Sequence, residues 1–166
     1  MKEKLTPGFV YLVEVIGANG VVRDSELVHN LMPVEGENFT LGVLFKGTAQ
    51  VATWSAGIYE GNYTPAAGDT AATFPGSATE SIAYAEAIRS ALVFGAVAGG
   101  AIDNGATRAT FTMNANKTIY GGFISSAAAK GAITGTLLSA VRFLSPKVLN
   151  AGDVLSVTAG FTLVSA

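Results

Sequence analysis

From Val154 to Leu163 the sequence alternates with a period of two. Leu155, Val157, Ala159, Phe161 and Leu163 fall on one face, and Ser156, Thr158, Gly160 and Thr162 on the other. Successive side chains of an extended chain point to opposite faces, so this run predicts a half-buried antiparallel strand and a sheet for it to join. Just before it, Asn150-Ala151-Gly152-Asp153 has the small polar residues of a tight reversal. Further upstream, TIYGGFIS and TGTLLSAVRF read as two more apolar strands, so the segment from Lys117 to Leu163 is a three-strand unit.

Phe9 to Ile16 reads as a first strand and Gly20 to Arg23 as a second, joined through Asn19-Gly20, a strong short-range hairpin signal. Pro33 and Gly36 break the chain before Phe39 to Phe45. There the alternation predicts a strand with Phe39, Leu41, Val43 and Phe45 facing the core. Ala49 to Tyr59 reads as a further strand and carries the single tryptophan, Trp54. Gly61 to Thr79 is irregular, because its prolines and glycines are incompatible with a regular helix. ESIAYAEAIRSALVF, from Glu80 to Phe94, fits either a short helix with Ile82, Ala85, Ala87 and Ile88 on its apolar face or an extended arm. Gly95 to Gly105 is loop-like and closes on Asn104-Gly105, a second hairpin signal, after which Ala109, Phe111 and Met113 share one face of another strand.

About eight short strands punctuated by Gly, Pro and Asn turns predict an all-β fold. The expectation is an antiparallel β-sandwich, jelly-roll-like, or else a barrel, with long loops and at most one short helix. At 166 residues the chain has the length of a single domain, 1–166. Residues 1–8 read as an N-terminal arm and 61–79 as a long loop.

Only 13% of the residues are charged, against roughly 25% in ordinary globular domains. So sparse a charge suits a protein whose surface is covered by neighbours. The formal net charge is −2 with no run of Lys or Arg, so no nucleic-acid partner is expected, since binding phosphates takes a basic stripe. Cysteine is absent, which removes disulfides, thiolate chemistry and cysteine zinc sites. The charge-free window Ser90 to Ile102 falls short of the roughly 20 residues of a membrane span. Glu14 interrupts the apolar run near the N-terminus, so no signal peptide is read there. The expectation is a soluble protein made in a cytoplasm, with no membrane partner.

The residues that carry chemistry are few. His29 is the only histidine and sits among Leu27, Val28 and Leu31, where a surface or hydrogen-bonding role is expected. No G-x-S-x-G elbow and no phosphate-binding glycine motif occurs. Ser126 and Lys130 are four apart in what reads as a turn, and the acidic pairs Glu35/Glu37 and Glu80/Glu86 match no calcium loop. Hence no catalytic, cofactor or metal residue is assigned, and no enzyme is expected. Trp54, Tyr59 and Tyr63 cluster in sequence, as a sugar-stacking platform would require, yet Trp54 and Tyr59 have opposite parity on one strand.

W-x-x-G-I-Y-E-G-N-Y-T-P from Trp54, then E-S-I-A-Y, I-Y-G-G-F-I-S-S, T-G-T-L-L-S and V-L-N-A-G-D-V-L-S-V-T follow in that order to the C-terminus. This series resembles small β-rich structural proteins of tailed-bacteriophage virions. The resemblance implies a non-enzymatic capsid decoration or cement protein on the outer capsid surface. It would bind the major capsid protein and form a homo-oligomer on the lattice. A tail, collar or fibre-associated role is the neighbouring expectation, and a carbohydrate- or receptor-binding module using the aromatic cluster is the alternative from another class. Loop length and composition point to Tyr63, Pro65, Asp69, Phe74 and Pro75, with the segment before Phe9, as partner contacts.

Overall fold

The computed structural model describes residues 8–163. The chain runs through β1 (Phe9–Ile16), β2 (Val22–His29), α1 (Val34–Phe45), β3 (Trp54–Tyr59), α2 (Phe74–Ser77), β4 (Glu80–Ser81) and β5 (Ser90–Leu92). It continues through β6 (Ala101–Asp103), β7 (Ala109–Thr112), β8 (Lys117–Ser125), β9 (Leu137–Leu149) and β10 (Val154–Thr162). In the first sheet β2, β1 and β10 lie side by side, and β6 and β7 both pair with the far edge of β10. In the second, β4 and β5 both pair with β3, which is followed by β8 and β9. Every strand pairing is antiparallel. The result is a mixed domain dominated by two antiparallel sheets, one of them partly curled into a half-barrel.

The alternation read from β10 fixes which face is inside: Leu155, Val157 and Ala159 are buried. They meet Phe9, Tyr11, Val13 and Val15 of β1 and Ile58, Ile119, Ile124 and Val141 of the second sheet in one hydrophobic cluster. Ala109, Phe111 and Met113 join it as the sequence predicts. The Asn19-Gly20 hairpin forms, with Gly20 at φ 79° where a side chain would be strained. Its second strand is longer than Gly20 to Arg23, extending through His29. Asp153 is buried and holds two turns together. Its carboxylate accepts the amides of Asn150 at 2.7 Å and Ala18 at 3.2 Å and pairs with Arg23.

The all-β expectation fails at Phe39 to Phe45, which lies in a twelve-residue helix, α1, rather than a strand. Pro33 stands at its N-cap, where a missing N–H costs nothing, and Glu35 and Glu37 favour the positive helix start. Gly36 lets the helix approach the second sheet, since a Cβ there would collide with the Leu138 carbonyl. The strand from Ala49 begins only at Trp54. With α2, a four-residue turn of helix with Pro75 in its first turn, the described residues form two helices where the sequence predicts at most one short helix.

Glu80 to Phe94 takes the extended form, not the helical one. The Ala85 amide donates to the Thr112 carbonyl at 2.8 Å, the Asn114 amide to the Ala83 carbonyl at 3.1 Å, and the Arg89 amide to the Ala128 carbonyl at 2.8 Å. The Asn104-Gly105 hairpin does not form either. β6 and β7 run end to end along β10 instead of pairing with each other. At the junction the buried Asn104 side chain imitates a strand: its amide oxygen accepts the Ala159 N–H at 2.7 Å and its nitrogen donates to the Val157 carbonyl at 3.3 Å.

Two features of the second sheet lead to expected results. Gly121 of β8 lies where a Cβ would overlap the Val141 carbonyl and the Tyr59 phenol. Gly121→Ala is therefore expected to destabilise by about 1–3 kcal/mol, since backbone cannot yield as a side-chain tip can. The shift of the urea midpoint checks it.

The second is a clasp between β9 and β2. The buried Lys147 ammonium donates to Asp24 at 2.8 Å, Glu26 at 2.7 Å and Ser145 at 3.3 Å. Burial by itself pushes this ammonium down, but its hydrogen bonds to Asp24 and Glu26 outweigh that and leave it above its ordinary value. The same hydrogen bond pulls Asp24 below the usual carboxylate range. A lowered carboxylate stabilises the fold above its unfolded value of about 3.9 and loses that contribution as pH falls through the lower folded one. A raised lysine stabilises below its unfolded value of about 10.4 and loses it as pH rises through the folded one. The clasp thus contributes fully between roughly pH 5 and pH 10. Lys147→Met is expected to be less stable than the wild type across that window, the gap closing below about pH 4 as the carboxylates protonate. Denaturant titrations at neutral and acid pH check this, and an unchanged gap in acid would exclude an ionic clasp.

Candidate functional site

The long loop before β4 does not hang free. It packs on the second sheet's face away from the shared core and builds a smaller cluster of Tyr59, Ala71, Phe74, Ala78, Phe123 and Leu137. The Phe74 ring is fully buried, meeting Tyr59 edge-on at 5.5 Å, Tyr63 at 5.9 Å and Phe123 at 5.3 Å between centroids. Pro75 and Asp69 are buried too. The Asp69 carboxylate accepts the Tyr63 hydroxyl at 2.7 Å and the Ala66 amide at 2.8 Å. That hydrogen bond, with burial, raises the Tyr63 phenol above its ordinary value. Glu35 of α1 fastens the loop from outside, accepting the amides of Ala71 at 2.8 Å and Leu137 at 2.6 Å.

Of the five loop residues expected at a partner surface, then, Asp69, Phe74 and Pro75 face the chain's own interior. Tyr63 and Pro65 are half-exposed. The segment before Phe9 lies outside the described residues, apart from Gly8. The structure brings Tyr63, Asp69 and Phe74 together, but as a packing unit.

The other chemistry-bearing residues are separated. His29 is exposed on β2. Glu35 is used by backbone amides, Glu80 by Arg89, and Glu86 by the Thr112 hydroxyl at 2.9 Å. The Ser126 hydroxyl accepts the Thr136 amide at 2.8 Å, while Lys130 donates to the Tyr84 carbonyl at 2.8 Å and stands over that ring. Tyr59 is fully buried and Trp54 packs on the opposite side of β3 against Phe39, so the aromatic platform does not form. Among the described residues no three His, Cys, Asp or Glu side chains gather as a metal site would need. Nor is any described helix long and apolar enough to cross a membrane.

What sequence reading missed is the surface around α1. Phe39 and Val43 turn inward, yet Val34, Leu41, Leu44 and Phe45 are exposed, Phe45 at 74%. Val93, Val97 and Leu163 are exposed as well. From Phe39 on, past the exposed Glu37 and Asn38, the helix is apolar on both faces, a pattern found in helices covered on both sides. The signal was present in FTLGVLF, a charge-free run, but the strand assignment turned Phe39, Leu41, Val43 and Phe45 inward together. A second exposed apolar group, Leu144 and Val148 on β9 and Leu27 on β2, follows the edges of the two sheets.

No protein-family model matches the chain, and no curated protein matches it.

Proposed function

We propose that this chain is a non-enzymatic structural protein of tailed-phage virions, most specifically a decoration or cement protein that binds the major capsid protein on the outer capsid surface. The two sheets around one core are read as a β-sandwich of jelly-roll kind, a rigid module for adding contact area to a lattice. The observation that supports this reading most is α1, whose outward face offers Leu41, Leu44 and Phe45 to solvent with no charged side chain among them. Exposed apolar patches of this sort mark surfaces that a partner covers. The sparse charge of the whole chain agrees with it.

Size decides how such a surface works. A twelve-residue helix is about 18 Å long, so one helix face falls well short of the roughly 800 Å² per partner of a stable complex. Strength would come from repetition, many copies each adding a modest contact to a fixed lattice, or copies joined as a homo-oligomer. Binding the assembled lattice and not its free subunits stabilises the assembled state by linkage.

Quantitative mass spectrometry of purified particles tests the proposal through the copy number relative to the major capsid protein. A comparable number of copies is expected. A count smaller by an order of magnitude or more would move the protein to the tail, collar or fibre, and absence from the particle would overturn the virion role.

A further inference from the structure

Under α1 the start of β1, the end of β10 and the start of β3 surround an open cavity of about 300 Å³. Its walls are aromatic. Phe9 meets Phe161 at 5.1 Å and Phe94 at 6.4 Å on one side, while Phe39 and Trp54 meet edge to face at 5.4 Å on the other. Val43 and Leu44 of α1 complete the lining with Met32 and Leu138. Among the described residues, none that lines the cavity has an ionisable side chain, and its polar side-chain groups are those of Thr40 and Gln50 and the indole N–H of Trp54. The Thr40 hydroxyl already donates to the Gly36 carbonyl at 2.9 Å, which leaves the Gln50 amide and the Trp54 indole N–H to address a ligand.

We propose that this cavity is a binding site for a small uncharged molecule, aromatic or aliphatic, of roughly ten carbon atoms, at about 30 Å³ for each methylene-sized group. Three features fix that class. The volume sets the size. The apolar walls give a gain in proportion to the area they remove from water. The lack of any charged side chain among the described residues of the lining disfavours an ion, which would lose its hydration with no counter-charge to replace it. The Gln50 amide fits one hydroxyl or carbonyl on such a molecule.

The cavity is held open by backbone rather than by the ligand. Gly47 at φ 68° turns the chain after α1, and the amides of Lys46 and Thr48 both donate to the Gly42 carbonyl, at 2.9 and 3.1 Å, which carries Gln50 and Val51 back to the rim. On the far side the Gly95 amide donates to the Asp103 carbonyl at 2.8 Å and keeps Phe94 beside Ile102. A preformed site spends little of its binding free energy on ordering itself. Leu44 is shared between the rim of the cavity and the exposed face that carries Leu41 and Phe45, so ligand binding is tested on the free chain, apart from any lattice.

Trp54, the only tryptophan, is part of the wall, so its emission reports on the cavity alone. The probe is N-phenyl-1-naphthylamine, a neutral dye that brightens in apolar surroundings and accepts energy from tryptophan; its ten-carbon naphthyl ring matches the cavity, and its phenyl ring is expected to lie in the open mouth. Titration into the full chain is expected to saturate at one dye per chain with a micromolar dissociation constant and loss of Trp54 emission. Uncharged 1-naphthol should displace the dye, and 1-naphthoate, its charged counterpart, should do so about tenfold more weakly or worse. Val43→Phe and Val51→Phe, two ways of filling the space that add no tryptophan, should each abolish binding. Unsaturable binding, or saturable binding that both folded variants retain, overturns the site. Equal displacement by naphthol and naphthoate overturns the ligand class, and that comparison stands even if neither variant folds.

Discussion

Arg89→Ala is expected to lower the unfolding free energy by about 3–5 kcal/mol. Arg89 and Glu80 are both buried, with side-chain exposures of 0% and 3%. The guanidinium donates through Nε and Nη2 to the two carboxylate oxygens at 2.9 and 2.6 Å, through Nη1 to the Ala127 carbonyl at 2.9 Å, and again through Nη2 to the Ala132 carbonyl at 3.1 Å. Its carbon centre lies 5.0 Å from the Phe123 ring. Glu80 accepts the Gly131 amide at 3.0 Å besides. A pair satisfied at so many points ties the extended segment before β5 to the connection between β8 and β9. Removing Arg89 leaves two carbonyls without that donor and a buried carboxylate with its counter-charge gone and only the Gly131 amide still donating to it, which is where the penalty arises. The double substitution Glu80→Leu with Arg89→Met removes both charges and is expected to recover much of the loss, because a well-packed apolar pair often equals a buried ion pair. Urea titrations of the single and double variants separate the two effects. A single variant within about 1 kcal/mol of the wild type would show that the pair is solvated in solution.

Phe74→Ala is expected to cost about 3–5 kcal/mol, with the loop between β3 and β4 turning protease-sensitive. The ring is fully buried at the centre of the smaller cluster, against Tyr59, Tyr63 and Phe123. Its loss leaves a cavity that the hydrogen-bonded sheet beneath cannot close. The experiment also decides what the loop is for. A loop that serves a partner would keep its stability in the variant and lose incorporation into particles, whereas the packing seen here predicts loss of stability first. Denaturant unfolding and limited proteolysis of the free chain give the answer before any partner is added.

The parts of the fold legible in the sequence are those where one face is buried and the other is wet. β10 and β7 show it: Leu155, Val157 and Ala159, and Ala109, Phe111 and Met113, alternate with polar residues and lie inside. Periodicity fails where both faces are apolar. FTLGVLF fits a period of two and a helical turn equally well, and the arbiters were at its start, Pro33 and the acids of the first turn. Asn104-Gly105 failed for another reason. A hairpin signal describes a local turn, but here the asparagine amide is spent on β10, a partner far away in sequence. In the long loop, irregular composition was legible and the burial of Phe74 was not, since nothing local distinguishes an aromatic that meets a partner from one folded back on its own sheet. The cavity under α1 depends on the helix assignment and could not be read without it.

The pairing of β1 with β10 sets a timetable for the molecule. In the full register Phe9 stands opposite Phe161 and Ile16 opposite Val154, so β1, made before the other described strands, waits for β10, made after them. Until then β1 has β2 for company and nothing else in its sheet, and the backbone edge that β10 will take, from Phe9 to Ile16, is unpaired. Non-local pairing of this kind closes slowly, and a growing chain with an open, apolar edge is one that chaperones hold. Truncation or stalling anywhere before Val154 would release a hairpin that has lost its seat rather than a smaller working protein.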